Sequence, residues 1–241
     1  MMLGPKSAVF TTVRARNGEL FHLELHLARL AKHAAVLGIK IPELELPSDL
    51  DGLVKIQVDT NGVTYSVKPF YQEIHMEAEG ITVPAPRWTR KVTGTKHGDW
   101  QPYRDITTEV FSKGADAGLL VHDFCIIDGD RVMPLVLDQD GVVWISDDKL
   151  GGVSSVTYDV CKQAIKDAGF IISSGRLNER LVARAKEFVL LGTGMGAARL
   201  TVLDDVDIGD DSDSLSKYVS QHWVKTGIDS LSTLLKPKHM G

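Results

Sequence analysis

The chain has 241 residues, 43% of them hydrophobic and 24% charged, with a net charge of −5. That is enough apolar material for one large core or two small ones, and no basic face marks a nucleic-acid footprint. No run of about 18 apolar residues reads as a membrane span, and the segment Met1-Met2-Leu3-Gly4-Pro5-Lys6 does not read as a signal peptide.

Residues 8–16, AVFTTVRAR, read as a strand, and Asn17-Gly18 predicts a tight turn before ELFHL. From Glu24 the apolar positions change period. Leu27, Leu30, Ala31, Ala34, Leu37 and Ile39 form a helical stripe ended by Gly38. A proline-bearing loop at 42–48 leads to VKIQVD and VTYSVKPF, a second hairpin around Asn61-Gly62. Residues 84–95, with Pro84, Pro86 and Gly94, read as a connector. Beyond it, 103–113 is predicted helical and GLLVH a buried strand. LVLD and VVWIS flank Gln139-Asp140-Gly141 as another hairpin. A helix from Ser155 to Ala168 leads into FIISSG, a second helix over 177–187 leads into the strand FVLL, and a last helix covers 213–235. The division expected is a small α+β subdomain at 1–86, a connector at 87–95 and a larger α+β subdomain at 96–241.

Several segments admit chemistry. Gly192-Thr193-Gly194-Met195-Gly196 follows a strand, as a dinucleotide loop would, but the next residues, AARLTVLDD, read as strand rather than helix. A loop holding a single phosphate through backbone N–H groups and Thr193 fits better, beside the reading of a plain turn. Ser154-Ser155-Val156-Thr157 opens an amphipathic helix, where hydroxyls serve as caps. The same helix start offers free N–H donors for an anion. His22 and His26 flank Glu24, but His22 precedes the helix, so the pair does not make a metal site and His26 reads as a helix-entry or core histidine. The late acidic run, Asp204 to Asp213, reads as a solvated loop without the glycine and glutamate of a calcium loop. Cys125 and Cys161 are too few for a disulfide framework and fit a reducing cytoplasm.

Five segments, taken in order, resemble the fold-type IV family of pyridoxal-phosphate enzymes. That family includes branched-chain and D-amino-acid aminotransferases and 4-amino-4-deoxychorismate lyase. VFTTVRARNGELFHLELHLARL is similar to the family's opening strand, turn and helix, and gives Arg29 as the arginine that grips the cofactor phosphate. Lys96, in TKHGDW, stands at the Schiff-base lysine, with Lys91 a nearby competitor. ADAGLLVHDFCIIDG gives Asp128 as the acid facing the ring nitrogen, where the family typically has glutamate. GGVSSVTYDV gives Val156 and Thr157, and EFVLLGTGMGAARLTVLDD gives Thr193, all at the phosphate.

The resemblance implies an α+β, two-subdomain, D-amino-acid-aminotransferase-like fold with a shortened N-terminal subdomain. It further implies pyridoxal 5'-phosphate as cofactor, a cytoplasmic homodimer, and an amino acid and a keto acid as small-molecule partners. The lysine would form the imine and then move protons. Arg14, on the first strand, and Trp100 would face the substrate, although an exposed strand position would explain Arg14 equally well. An aminotransferase is the expected activity. The alternatives are the lyase, which eliminates pyruvate, and a non-catalytic cofactor-binding or scaffold protein.

Overall fold

In the computed structural model, residues 4–69 and 77–227 are described. Their contacts divide them into two compact units, 4–69 with 87–102, and 77–86 with 103–227. This division differs from the one read in the sequence in two segments. Residues 77–84 pair within the second unit's sheet, and 87–102, Lys96 included, belong to the first unit.

The first unit opens with β1 (Ala8–Arg16), which turns at Asn17-Gly18 into the short β2 (Glu19–Leu20). Then come α1 (Leu23–Leu37), β3 (Gly52–Asp59) and β4 (Gly62–Lys68), giving an antiparallel sheet in the order β2-β1-β3-β4. Gly38 ends α1 in the left-handed conformation at φ 73°, where its N–H reaches the carbonyls of Ala34 and Ala35. The core side of β1 and β3 (Val9, Val13, Ala15, Val54, Ile56, Val58) packs on Leu30, Ala34 and Leu37 of α1. The helical stripe differs from expectation at one position. Ala31 is exposed, while His26 and His33 are buried, because the buried face runs His26, Leu30, His33, Ala34, Leu37 at helical spacing.

The second unit follows β5 (Glu77–Pro84) with α2 (Gln101–Ser112), whose residues 101–102 belong to the first unit. Next are β6 (Ala117–His122), β7 (Cys125–Gly129), β8 (Met133–Leu137), β9 (Val142–Ser146), α3 (Val156–Asp167) and β10 (Ile171–Gly175). The chain closes with β11 (Leu177–Asn178), α4 (Glu179–Val182), β12 (Glu187–Gly192), β13 (Gly196–Leu203), β14 (Val206–Asp207) and α5 (Ser214–Gly227). The sheet runs β10-β9-β8-β12-β13-β5-β6-β7-β11, with β14 on β13. Its central strands are buried on both faces, which explains the unbroken apolar run FVLL. Val189 and Leu191 face α3 and α5 through Tyr158, Cys161, Ile165, Leu215 and Val219. Phe188 and Leu190 face Leu119, Leu177, Val182 and Leu200.

The helix expected over 177–187 is a single turn. Leu177-Asn178 pairs with Cys125-Ile126 of β7, and the Asn178 side chain caps the turn by accepting from the Leu181 N–H at 3.0 Å. Lys186 then donates its backbone N–H to Leu137 of β8 at 2.7 Å, so the sheet claims the chain before a second turn can form. Of the helix expected over 213–235, α5 supplies 214–227, and the remainder lies outside the described residues.

Candidate active site

In the first unit, β1 alternates between two faces. Thr11 points to α1 with the core residues, whereas Phe10, Thr12 and Arg14 take the opposite side. Thr11 Oγ1 accepts from Arg29 Nη2 at 2.9 Å and lies 3.1 Å from His26 Nδ1. Burial, followed by the charge of Arg29, pushes His26 down to about 3. His26 is therefore neutral, and the Thr11 hydroxyl shares a hydrogen bond with its ring while accepting from Arg29.

Lys96 docks on the free edge of the same strand. β2 pairs only with Ala15 and Arg16, which leaves the start of β1 open. Phe10 donates its N–H to the Lys96 carbonyl at 3.1 Å, and His97 bridges Val9. On its other side, the Lys96 N–H donates to His33 Nδ1 at 3.1 Å. Burial and then the Arg29 and Lys96 charges push His33 down to about 3, so the ring is neutral, and the bond from the Lys96 N–H assigns its proton to Nε2. Lys96 Nζ lies over two rings, 4.7 Å from the Trp100 centroid and 5.2 Å from that of Phe10. Lys96 is half-buried and Lys91 is exposed.

Arg14 is buried, so the exposed strand position does not hold. Burial and then Arg16 push its guanidinium down to about 10, against the opposing pull of Asp51. Trp100 is half-buried and packs edge-on against Phe10, with centroids 5.0 Å apart.

In the second unit, Asp128 is buried on β7 opposite Leu120. Its Oδ1 accepts from the Gly129 N–H at 2.9 Å and its Oδ2 from the Val153 N–H at 2.7 Å. The second bond needs the loop before α3 to lie against β7, and Gly152 allows it. A Cβ there would collide with the Ile127 carbonyl oxygen. Ser155 caps α3, accepting from the Tyr158 N–H at 3.3 Å. Val156 and Thr157 occupy the first turn, where backbone N–H groups have no partner within the helix. Thr157 is 1% exposed and its Oγ1 has no hydrogen-bond partner. Thr193 lies half-buried in the turn between β12 and β13, closed by the Gly192–Gly196 pair, and α3 packs against β12.

The structure thus ties Arg29 and Lys96 to consecutive residues of β1, and joins Asp128 to the loop that starts the helix of Val156 and Thr157. Sequence reasoning did not single out Thr11, His33 or His97 for the site. The spacing of His26, Arg29 and His33 along one helix face was the available signal.

The sequence profile of the family described as Amino-transferase class IV matches residues 8–202. The chain belongs to this family. Among curated proteins, no sequence matches. Solved structures share the fold. A fold IV transaminase from Curtobacterium pusillum is 21% identical, with a TM-score of 0.75, covering 91% of this chain and 86% of its own. The T.th. branched-chain amino acid aminotransferase, solved with pyridoxamine 5'-phosphate, is 18% identical, with a TM-score of 0.76 and coverage of 93% and 87%. A Legionella pneumophila protein provisionally assigned as a 4-amino-4-deoxychorismate lyase is 13% identical, with a TM-score of 0.78 and coverage of 92% and 91%. Among the described residues, no helix is long and apolar enough to cross a membrane.

Proposed function

We propose that this protein is a pyridoxal-phosphate-dependent aminotransferase that moves an amino group between an amino acid and a keto acid, with Lys96 as the covalent attachment point. The observation that carries this reading is the setting of Lys96. Its backbone is fixed on both sides, to His33 and Phe10, and its amine lies half-buried over two aromatic rings. The other residues fit the cofactor's parts. A buried hydroxyl without a partner at the start of a helix suits a phosphate, and a buried carboxylate suits a ring nitrogen.

When bound, the cofactor supplies the electron sink for breaking bonds at the substrate's amine-bearing carbon. Lys96 Nζ would take a proton from that carbon and pass it to a carbon of the cofactor, acting as base and then acid. Asp128, whose carboxylate accepts from two backbone donors, would be the acid set against the ring nitrogen. Thr157, Val156 and Thr193 offer donors to phosphate oxygens, and Arg29, steadied by Thr11, offers a fork-shaped cation. A cytoplasmic homodimer belongs to the same reading, and two buried free thiols agree with a reducing compartment.

The lyase reading draws on the FTTVR segment and on the fold shared with the Legionella protein. Purified protein incubated with pyridoxal phosphate should turn yellow, and borohydride should fix the cofactor on the Lys96 peptide. Lys96→Ala should do neither. A colourless wild type overturns the proposal. Adding amino acids should then convert the bound cofactor to its amine form, whereas a lyase releases pyruvate and keeps the aldehyde form.

A further inference from the structure

Four aromatic side chains of the first unit form a run that ends at the Lys96 amine. Trp88 Nε1 donates to Asp99 Oδ2 at 3.0 Å and its ring packs edge-on against His97 at 4.3 Å. His97 meets Trp100 at 5.8 Å, and Trp100 meets Phe10 at 5.0 Å, each pair close to perpendicular. His97 is 1% exposed and neither ring nitrogen has a hydrogen-bond partner. Its place is therefore set by packing and by the bridge of its backbone to Val9. Burial pushes its ring down to about 4, against Asp99, so it presents no charge beside Lys96.

The Phe10 ring is shared. Lys55 Nζ lies 4.6 Å from its centroid and donates to Gln57 Oε1 at 2.6 Å. Lys96 Nζ lies closer to Trp100, at 4.7 Å, than to Phe10, at 5.2 Å. Trp also has the strongest ring quadrupole of the aromatic side chains. Trp100 is thus the nearer of the two rings to the Lys96 amine.

We propose that Trp100 is a positioning residue for the Lys96 amine, presenting a ring face that holds Nζ in place in its ammonium form, with Phe10 as the second wall. This assigns Trp100 to the lysine rather than to the substrate, and it rests on the reading of Lys96 as the attachment lysine. In accepting a proton, Nζ gains a positive charge, and in delivering the proton it loses it. A ring face stabilises the charged state between those two events. It also limits the rotamers of a flexible four-carbon stem, so that the proton is kept within reach of the second carbon to which it must pass.

Trace labelling with acetic anhydride, in protein free of cofactor, tests this directly, because the reagent acylates the neutral, accessible amine. The readout is acetylation of Lys96 relative to exposed Lys91, measured by mass spectrometry in wild type, Trp100→Leu and Trp100→Phe. Trp100→Leu keeps apolar bulk without a ring face, and should raise the ratio about two- to thirtyfold, the range of one lost cation–π contact. Trp100→Phe should return it most of the way to wild type. An unchanged ratio in Trp100→Leu overturns the proposal, as does an equal rise in Trp100→Phe, which would mean lost packing. Constant labelling of Lys55 reports an intact fold, and Trp100→Met makes the same comparison should the leucine variant not fold. The cofactor assignment fails separately. A wild type that takes up no pyridoxal phosphate at Lys96 overturns that reading, while the labelling ratio still judges the ring contact.

Discussion

The backbone N–H of Lys96 donates to Nδ1 of His33 at 3.1 Å, joining two residues 63 apart in the chain. The bond requires a neutral imidazole with its proton on Nε2, and burial beside cationic residues favours the neutral ring. It makes α1 a brace for the loop that carries the amine.

Replacing His33 with alanine leaves the Lys96 N–H without its acceptor. The expected cost is about 1–2 kcal/mol of stability. Slower uptake of pyridoxal phosphate at Lys96 should accompany it, since the amine is no longer held in one place. Urea denaturation and the rate of yellow colour development measure the two effects. Uptake at the wild-type rate in a destabilised His33→Ala protein would limit His33 to a packing role.

The buried histidines also set a pH dependence. His26 and His33 are each pushed from the ordinary 6.5 down to about 3, burial being the main cause and Arg29 the next. Between those values the unfolded chain binds protons that the folded chain refuses. Stability from this source is therefore complete above about 6.5 and is lost progressively as pH falls toward about 3. Urea midpoints taken stepwise over that window should decline, and should decline less steeply in His26→Asn/His33→Asn. A wild-type midpoint independent of pH across the window would contradict the assignment.

Thr157→Val should act in opposite directions on two quantities. Without cofactor, it removes a buried hydroxyl that has no partner, and should stabilise the protein by about 1 kcal/mol. With cofactor, it removes a phosphate donor, and should weaken uptake about tenfold, the equivalent of one hydrogen bond to a charged group. Thermal melts with and without pyridoxal phosphate measure both. Undiminished uptake would separate Thr157 from the phosphate.

Glu187 supplies a different kind of anchor. Its buried carboxylate accepts from the hydroxyls of Ser212 and Ser214 and from the N–H groups of Leu215 and Ser216, capping α5 from the first residue of β12. Burial alone would raise its pKa, but these four donors overcome that and hold it below the usual range. Glu187→Gln should cost roughly 2–3 kcal/mol, the scale of hydrogen bonds to a charged group. The contribution is present above the unfolded-state pKa and is lost as pH falls through the lower folded value. Equal loss of stability in wild type and Glu187→Gln on acidification would contradict this account.

Local signals carried most of the fold. The alternation of AVFTTVRAR, the turn at Asn17-Gly18, the Ser155 cap and the Gly38 stop each act within a few residues, and each appears where the sequence places it. The segment 177–187 did not follow its helical periodicity because pairing with β7 and β8 outweighs a few residues of propensity. The order of segments made Lys96, Arg29, Asp128 and Thr157 candidates. What surrounds them was hidden for a different reason. His33 meets Lys96 across a long stretch of chain, Gly152 matters only because a carbonyl from β7 lies against it, and no local pattern encodes either meeting.

The two anchoring points on β1 bear on how this chain could be altered. Phe10 holds the lysine loop by its backbone and Thr11 holds Arg29 by its side chain, so neighbouring positions of a single strand set two distances at once. Sliding β1 by one residue would turn Thr11 away from α1 and place Phe10 where the hydroxyl had been. Both settings would then be lost together, and no compensating change at one could restore the other. Insertions at the Thr60-Asn61 turn leave that pairing of β1 alone, whereas a single residue added between Ala8 and Thr11 would detune the whole unit.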